Sequence, residues 1–383
     1  MGRSCCPNTP TPPRATILSA SGREDGTFCF LYQVERVTVP GTASQEGGTV
    51  AVVAGIDEAG YGPLLGPLVV SGVAFEVPDE AAGEDLWTPL ADVVARSPRD
   101  PARLPVDDSK RLFDHTRGVR HIERTALAFA AAAHRPARND EASPKSLPHC
   151  DIQRPNVTGT FGGLLDAIAE IGERLDGYPW HQGGDFPIPL AAGDVAADAE
   201  RLRHAAGARF LGVRCLPVLV GEYNRLVESH GTKSATLFLK TARLLSWLWT
   251  AWGERGLIVH VDKHGGRNRY GLLLHQTLFG ARIRALAEGA AESIYQVSHG
   301  ARRMTVGFYE GGDARHLPVA LASIFSKYLR ELFMHGFNAW WCQRVPGLRP
   351  TAGYATDARR WLADTAPARA ALRIPDRLLI RIA

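Results

Sequence analysis

Two short runs rich in β-branched residues, Thr49-Val-Ala-Val-Val-Ala-Gly-Ile56 and Leu68-Val-Val-Ser-Gly-Val-Ala-Phe75, bracket the turn-forming segment Asp57-Glu-Ala-Gly-Tyr-Gly-Pro-Leu-Leu-Gly-Pro67. Both runs are too uniformly apolar for strands with one wet face, so they read as buried strands. Joined by eleven turn-rich residues, they predict a hairpin at the heart of a sheet. Adjacent strand residues point to opposite faces, so Asp57 and Glu58 leave the first strand in different directions. Buried, such an acidic pair is costly without a cation; exposed, it does no more than open a turn.

The rest of the chain mixes both element types. Helices are predicted over 120–133, 161–175, 197–206, 234–252, 271–290 and 318–341, the last with Ile324, Tyr328, Leu332 and Phe333 at helical spacing. Leu257-Ile-Val-His-Val261 is another buried strand and delivers Asp262 at its end. No internal repeat is visible, and the pattern predicts an α/β or α+β sheet domain. With 383 residues, 45% of them hydrophobic, the chain has material for a sizeable core. Residues 1–47, polar and Pro/Gly-rich, read as a poorly ordered extension before a domain at 48–383, and 134–160 as a loop or surface insertion. Cys5, Cys6, Cys29, Cys150, Cys215 and Cys342 form no CxxC pair, which argues against a zinc module or a disulfide framework. The N-terminus lacks an apolar signal core, and the longest apolar stretch, Leu237 to Trp252, is broken by Lys240 and Arg243. A soluble, cytoplasmic protein without a membrane partner is expected.

Asp262 changes the reading of Asp57 and Glu58, because it too ends a buried strand. It precedes Lys263-His-Gly-Gly-Arg-Asn-Arg269, a glycine loop with three cations. Carboxylates gathered at strand ends suit hard divalent cations, which take oxygen ligands and keep positions for water and phosphate. Two such ions can stabilise the attacking and leaving oxygens of a phosphodiester, and neighbouring Lys and Arg can hold its phosphates. His264 is either a plain loop residue or a proton carrier beside Asp262. Gly231-Thr-Lys-Ser234 fails the phosphate-loop pattern and more simply starts a helix, with Lys233 available to nucleic acid. The tryptophans at 247–252 and 340–341 have packing spacing and read as core.

Here the sequence resembles the type 2 ribonucleases H, in particular ribonuclease HII. The resemblance runs from Gly55 to about Leu362. Gly55-Ile-Asp57-Glu58-Ala-Gly60-Tyr61-Gly62-Pro is similar to the family's signature, whose acidic pair binds metal and whose glycine loop contacts the nucleotide at an RNA/DNA junction. Asp108-Ser109-Lys110 resembles a segment whose lysine approaches a substrate phosphate, and Val261-Asp262 the third ligand. Asp313 stands ten residues before Ser323 of Ala-Ser-Ile-Phe-Ser-Lys327, where the family carries its fourth carboxylate. Glu310 lies close enough to compete for that role, and the register to Ser323 favours Asp313. Ser323 and Lys327 share a helix face, as phosphate contacts would. Gly353-Tyr354-Ala-Thr356 is similar to a motif whose tyrosine packs on the sugar. Lys263 and Arg267 complete the expected phosphate contacts.

The resemblance implies a ribonuclease H-like α/β fold: a mixed central sheet flanked by helices, with inserted helical segments in 113–256 and 270–312 and extra length between 76 and 107. It implies two Mg2+ or Mn2+ ions and hydrolysis of the RNA strand of an RNA/DNA hybrid, or cleavage at ribonucleotides embedded in duplex DNA, leaving 5′-phosphate and 3′-hydroxyl ends. Tyr61 replaces the arginine of the family's Gly-Arg-Gly loop, which puts substrate preference in question. Rival readings are a non-catalytic nucleic-acid binder on the same fold and a related metal-dependent nuclease acting on DNA. The C-terminus lacks the paired aromatics of a sliding-clamp peptide, so no such partner is expected. The formal charge of +4 conceals an asymmetry: from residue 262 onward 18 Lys and Arg face 9 Asp and Glu, against 26 and 31 before it. The basic half carries most of the residues assigned to phosphate and sugar, as a nucleic-acid binder would.

Overall fold

The computed structural model describes residues 50–113, 118–133, 159–182, 185–190 and 194–382. The predicted extension at 1–47 and most of the loop at 134–160 lie outside the described residues. The two β-branched runs form strands β1 (Val50–Ala59) and β2 (Leu68–Pro78), paired antiparallel. Two-residue pairs follow: β3 (Val94–Ala95) lies against β4 (Leu104–Pro105), and β5 (Gly159–Thr160) against β6 (Pro187–Ile188). The remaining strands are β7 (Arg209–Val218), β8 (Leu257–Asp262), β9 (Arg282–Glu288), β10 (Glu292–His299) and β11 (Arg302–Tyr309). The main sheet runs β7-β2-β1-β8-β11-β10-β9. β8 is parallel to both β1 and β11, whereas the other neighbours are antiparallel. The sheet is mixed, as expected.

Among the described residues ten helices accompany it: α1 (Ser109–Leu112), α2 (Arg120–Ala133), α3 (Phe161–Ile168), α4 (Val195–Arg203), α5 (Val220–His230), α6 (Lys233–Trp252), α7 (Gly271–Thr277), α8 (Gly312–Arg315), α9 (Leu317–Arg344) and α10 (Ala355–Ala371). The strand period of two sends β1 residues into two cores. Val52, Ala54 and Ile56 meet Leu237, Leu244 and Leu248 of α6, while Ala51 and Val53 join the apolar faces of α2 and α9. Helices therefore cover both faces. Trp249, Trp252 and Trp341 are buried, as their spacing predicts.

Two predicted helices are corrected. α3 stops at Ile168 instead of 175, because Ala169 leaves it to bridge Cys215 of β7 and the Glu170 N–H donates to the Cys215 carbonyl at 2.8 Å. The segment 271–290 is helical only to Thr277; Gly280 takes a left-handed φ of 80°, and Arg282–Glu288 becomes the edge strand β9. Its Arg, Ala, Leu and Glu residues favour helix, but pairing with β10 overrides that weak preference.

α9 lies so close to β1 that only glycine fits between them. A Cβ on Gly55 would sit 2.1 Å from the Pro318 carbonyl carbon, with no flexible side chain to yield. Gly55→Ala is expected to destabilise the fold by about 3 kcal/mol, read as a lower urea midpoint with an unchanged slope.

Candidate active site

β1 continues in register with β2 through Asp57 and Glu58, so both carboxylates leave from a rigid strand and not from a flexible turn. Parallel pairing sets Ile56 beside Val261, which brings Asp262 to the same end of the sheet. β11 reaches that end too, with Tyr309 opposite Asp262, and hands the chain to α8, which carries Asp313. Four carboxylates from three neighbouring strand ends thus gather at one edge.

Their electrostatics show the crowding. Burial, then the charges of Glu58 and Asp262, hold the Asp57 carboxyl well above its ordinary range. Glu58 is pushed up to about 8, by burial first and Asp262 second. Asp262 rises to about 6 through burial, partly offset by the Gly312 N–H. Asp313 is raised by burial and by Asp108. Like charges held close in a poorly solvated cleft oppose one another's ionisation. Asp313 adds to the shifts of Asp57, Glu58 and Asp262, whereas Glu310 is exposed and acts on Lys263 instead. Of the two candidates for the fourth carboxylate, Asp313 is the one turned to the cluster.

One oxygen of each aspartate is engaged by a backbone N–H: Asp57 by Glu58 at 2.7 Å, Asp262 by Gly312 at 2.8 Å and Asp313 by Ala314 at 2.9 Å. Among the described residues no three His, Cys, Asp or Glu side chains converge as a ready-made ion cage. The donor chemistry nonetheless fits a hard divalent cation: oxygen only, anionic, and mutually repelling until a positive charge is added.

Other elements bring the expected partners. α1 presents exposed Lys110, whose ammonium lowers the pKa of Glu58, Asp262 and Asp313. Ser109, buried, shares a 3.1 Å hydrogen bond with Ser323 of α9, and the Ser323 hydroxyl supports the Asp57 carboxylate. Ser326 anchors the strand by donating to the Asp57 carbonyl at 3.0 Å. Lys327 pairs with Glu331 at 2.8 Å and lies 4.3 Å from the Phe113 ring centre. Tyr354, about half exposed, opens α10. Tyr61 is half-buried with Lys233 Nζ 6.0 Å from its ring, and its pKa is raised by burial and by Glu58. Gly60 needs its left-handed φ of 85°, and a Cβ there would strike the Pro67 carbonyl at 2.6 Å; Gly62 faces open space.

Other predicted contacts sit differently. Lys263 is buried, and its ammonium donates to Asn268 and to the carbonyls of Gly289 and Ala290, tying down the β9–β10 turn. Arg267 donates to Ser234 at 3.0 Å. His264 packs among Phe238, Tyr270 and Phe308, and burial pushes it down to about 3. It is a neutral core residue and not a proton carrier. His260 and His316 stack at 3.9 Å, also pushed down by burial, to about 3 and 4.

Sequence reasoning missed two buried arginines beneath the glycine loop. Arg381 donates to the Gly66 carbonyl from Nε and Nη2 and to the Gly60 carbonyl from Nη1. Burial, then Arg330, pushes it down to about 9. Arg330 donates to the Ala352 carbonyl at 2.8 Å and lies 5.6 Å from the Tyr354 ring. For Arg330 the available signal was a cation set among Tyr328, Leu329, Leu332 and Phe333 in α9; for Arg381 there was none.

Strand order and the carboxylate-bearing strand ends define a mixed α/β protein with four carboxylates gathered at one end of its central sheet. No family model matches the chain, and no curated protein matches it. Among solved structures it is similar to ribonuclease HII of Archaeoglobus fulgidus, determined in a complex with PCNA, at 17% identity over 86% of this chain and 94% of that one, with a TM-score of 0.37. It is also similar to ribonuclease H2 of Pyrococcus horikoshii OT3, at 15% identity over 86% and 92%, TM-score 0.35, and to RNase H3 of Aquifex aeolicus, at 15% over 86% and 71%, TM-score 0.37. Among the described residues no helix is long and apolar enough to cross a membrane.

Proposed function

We propose that this chain is a metal-dependent endoribonuclease of the type 2 ribonuclease H kind, cutting the RNA strand of an RNA/DNA hybrid or duplex DNA at an embedded ribonucleotide. The observation that carries this reading is the set of four carboxylates raised by burial and by one another, with Lys110 and Ser109 brought in from a separate element. A protein that only bound nucleic acid would gain nothing from anionic charge facing phosphates.

Asp57, Glu58, Asp262 and Asp313 would hold Mg2+ or Mn2+, which when bound supplies charge stabilisation of the phosphodiester and an activated water. Ser323, buttressed by Ser109, orients the Asp57 carboxylate. Lys110 holds a phosphate at the cleft mouth. The glycine loop at 60–62, backed by Arg381 and Arg330, would sense a 2′-hydroxyl, the group that separates RNA from DNA, and Tyr354 would offer its ring to the adjoining sugar.

Duplex DNA with one ribonucleotide, an RNA/DNA hybrid and plain DNA, each incubated with Mg2+ or Mn2+, test the reading. Cleavage of either ribonucleotide-containing substrate with 5′-phosphate ends is expected. Cleavage of plain DNA alone would replace it by a DNA nuclease, and binding without turnover by a non-catalytic binder.

A further inference from the structure

A cavity of about 570 Å3 opens beside the cleft, lined by Arg96, Arg99, Asp107, Arg111 and His121 among others. That volume is typical of ligand clefts. Its walls come from the stretch before Asp108, from Arg111 of α1 and from the start of α2, and none of its lining residues belongs to the carboxylate cluster.

One wall is preorganised. The Arg96 guanidinium lies 3.4 Å over the Trp87 ring, and Trp87 is itself held by its indole N–H donating to the Val106 carbonyl at 2.8 Å. Arg96 Nη1 donates at 3.2 Å to the carbonyl of Ala314, the residue after Asp313. The cavity is thereby tied to the element that carries the fourth carboxylate. Asp107 is 6% exposed and lies 3.7 Å from Arg96 and 3.3 Å from Arg111, so one carboxylate serves two guanidiniums. Arg99 adds a third, without an ion-pair partner among the described residues. Even counting Asp85, 3.7 Å from Arg96 and outside the lining, cations exceed acids.

We propose that this cavity is a subsite for a backbone phosphate, with its sugar, of the nucleic-acid strand flanking the scissile position. Planar guanidiniums are suited to phosphate oxygens, and Lys110 on the adjoining helix continues the cationic path into the cleft. The proposal rests on nucleic acid being the substrate. It goes beyond that reading in assigning a strand contact to the segment between β2 and α1.

The test is binding of a fluorescent ribonucleotide-containing duplex to full-length protein in the non-cleaving Asp262→Asn background, followed by anisotropy across a salt series. The double variant Arg99→Glu/Arg111→Glu is compared with Arg282→Glu/Arg284→Glu, which makes the same charge change on exposed positions of β9. The cavity variant is expected to bind roughly tenfold or more weakly and to lose about one unit of the slope of log K against log salt, with the β9 variant changing less than about twofold. Equal losses in the two variants, or none in the cavity variant, would overturn the subsite. Pyrophosphate displacement that depends on Arg99 and Arg111, with duplex affinity unaltered, would assign the cavity to a free phosphate ligand and overturn it too. Matching circular dichroism and Tm establish that each variant is folded. Strong binding with the expected variant losses but no cleavage by the unmutated chain would leave the subsite standing while the ribonuclease reading fails.

Discussion

Asp57→Asn and Asp262→Asn are each expected to lower the rate of cleavage at an embedded ribonucleotide by roughly a thousandfold or more, a barrier change on the order of 4 kcal/mol. Either substitution keeps the side-chain shape, and an amide oxygen can still accept from the Glu58 or Gly312 N–H that the carboxylate now engages. What is lost is anionic charge at the point where a divalent cation is to be held. Because that charge is repelled by its neighbours in the metal-free protein, the same variants are expected to melt no lower than the unmutated chain without metal. Single-turnover rates and calorimetric Mn2+ titration read the two halves separately. A loss below about tenfold in both variants would remove these residues from the chemistry.

The contribution of Glu58 and Asp262 to metal-free stability falls as pH rises from about 4.5 to about 8, and above about pH 7, where the buried histidines are neutral in both folded and unfolded chains, it sets the sign of the whole. Glu58 in the folded chain titrates at about 8, above its ordinary 4.5, and Asp262 at about 6. Through that window these two carboxyls bind more protons in the folded form than in the unfolded form, so their contribution decreases with pH. Below about 4.5 both forms carry the Glu58 proton and this contribution to folding is retained in full. The Glu58 shift alone corresponds to a few kcal/mol at pH 8, an order of magnitude set by about 1.4 kcal/mol per pKa unit. Two measurements follow from the sign. Tm of the metal-free protein should drop between pH 7 and pH 8.5, and Mg2+ or Mn2+ should restore it more at pH 8.5 than at pH 7. Glu58→Gln should flatten both responses. A flat profile, or equal metal stabilisation in Glu58→Gln, would contradict the clustered carboxylates.

How much could be read from the residues varies with how local the cause is. β1 and β2 were legible because their β-branched runs and the intervening glycines and prolines are local signals that the pairing reinforces. The helices at 120–133 and 234–252 were legible from apolar spacing, which matches the faces they bury. The strand β9 was not, because its residues favour helix and only β10, close by but paired through tertiary geometry, makes it a strand. Lys263 was expected at a phosphate and His264 was left open between a loop residue and a proton carrier, for a related reason. A cation and a histidine beside a carboxylate look like chemistry, but which way they point depends on the β9–β10 turn and on the aromatic cluster behind them. Arg330 and Arg381 escaped notice because a buried guanidinium is recognisable only once the carbonyls that receive it are in view.

The sequence by itself determined the hairpin, the strand that ends in Asp262, the order of the acidic and basic motifs and the cationic bias of the second half, since each follows from residue type and spacing along the chain. Tertiary structure alone decided that Asp57, Glu58, Asp262 and Asp313 meet, that Asp313 and not Glu310 joins them, and that Arg96 and Arg111 share a cavity with Arg99. The first two of those outcomes depend on parallel pairing of β1, β8 and β11, whose partners are some two hundred positions apart for β1 and β8 and 47 apart for β8 and β11, and no local preference encodes the distance between side chains that meet only when the sheet closes.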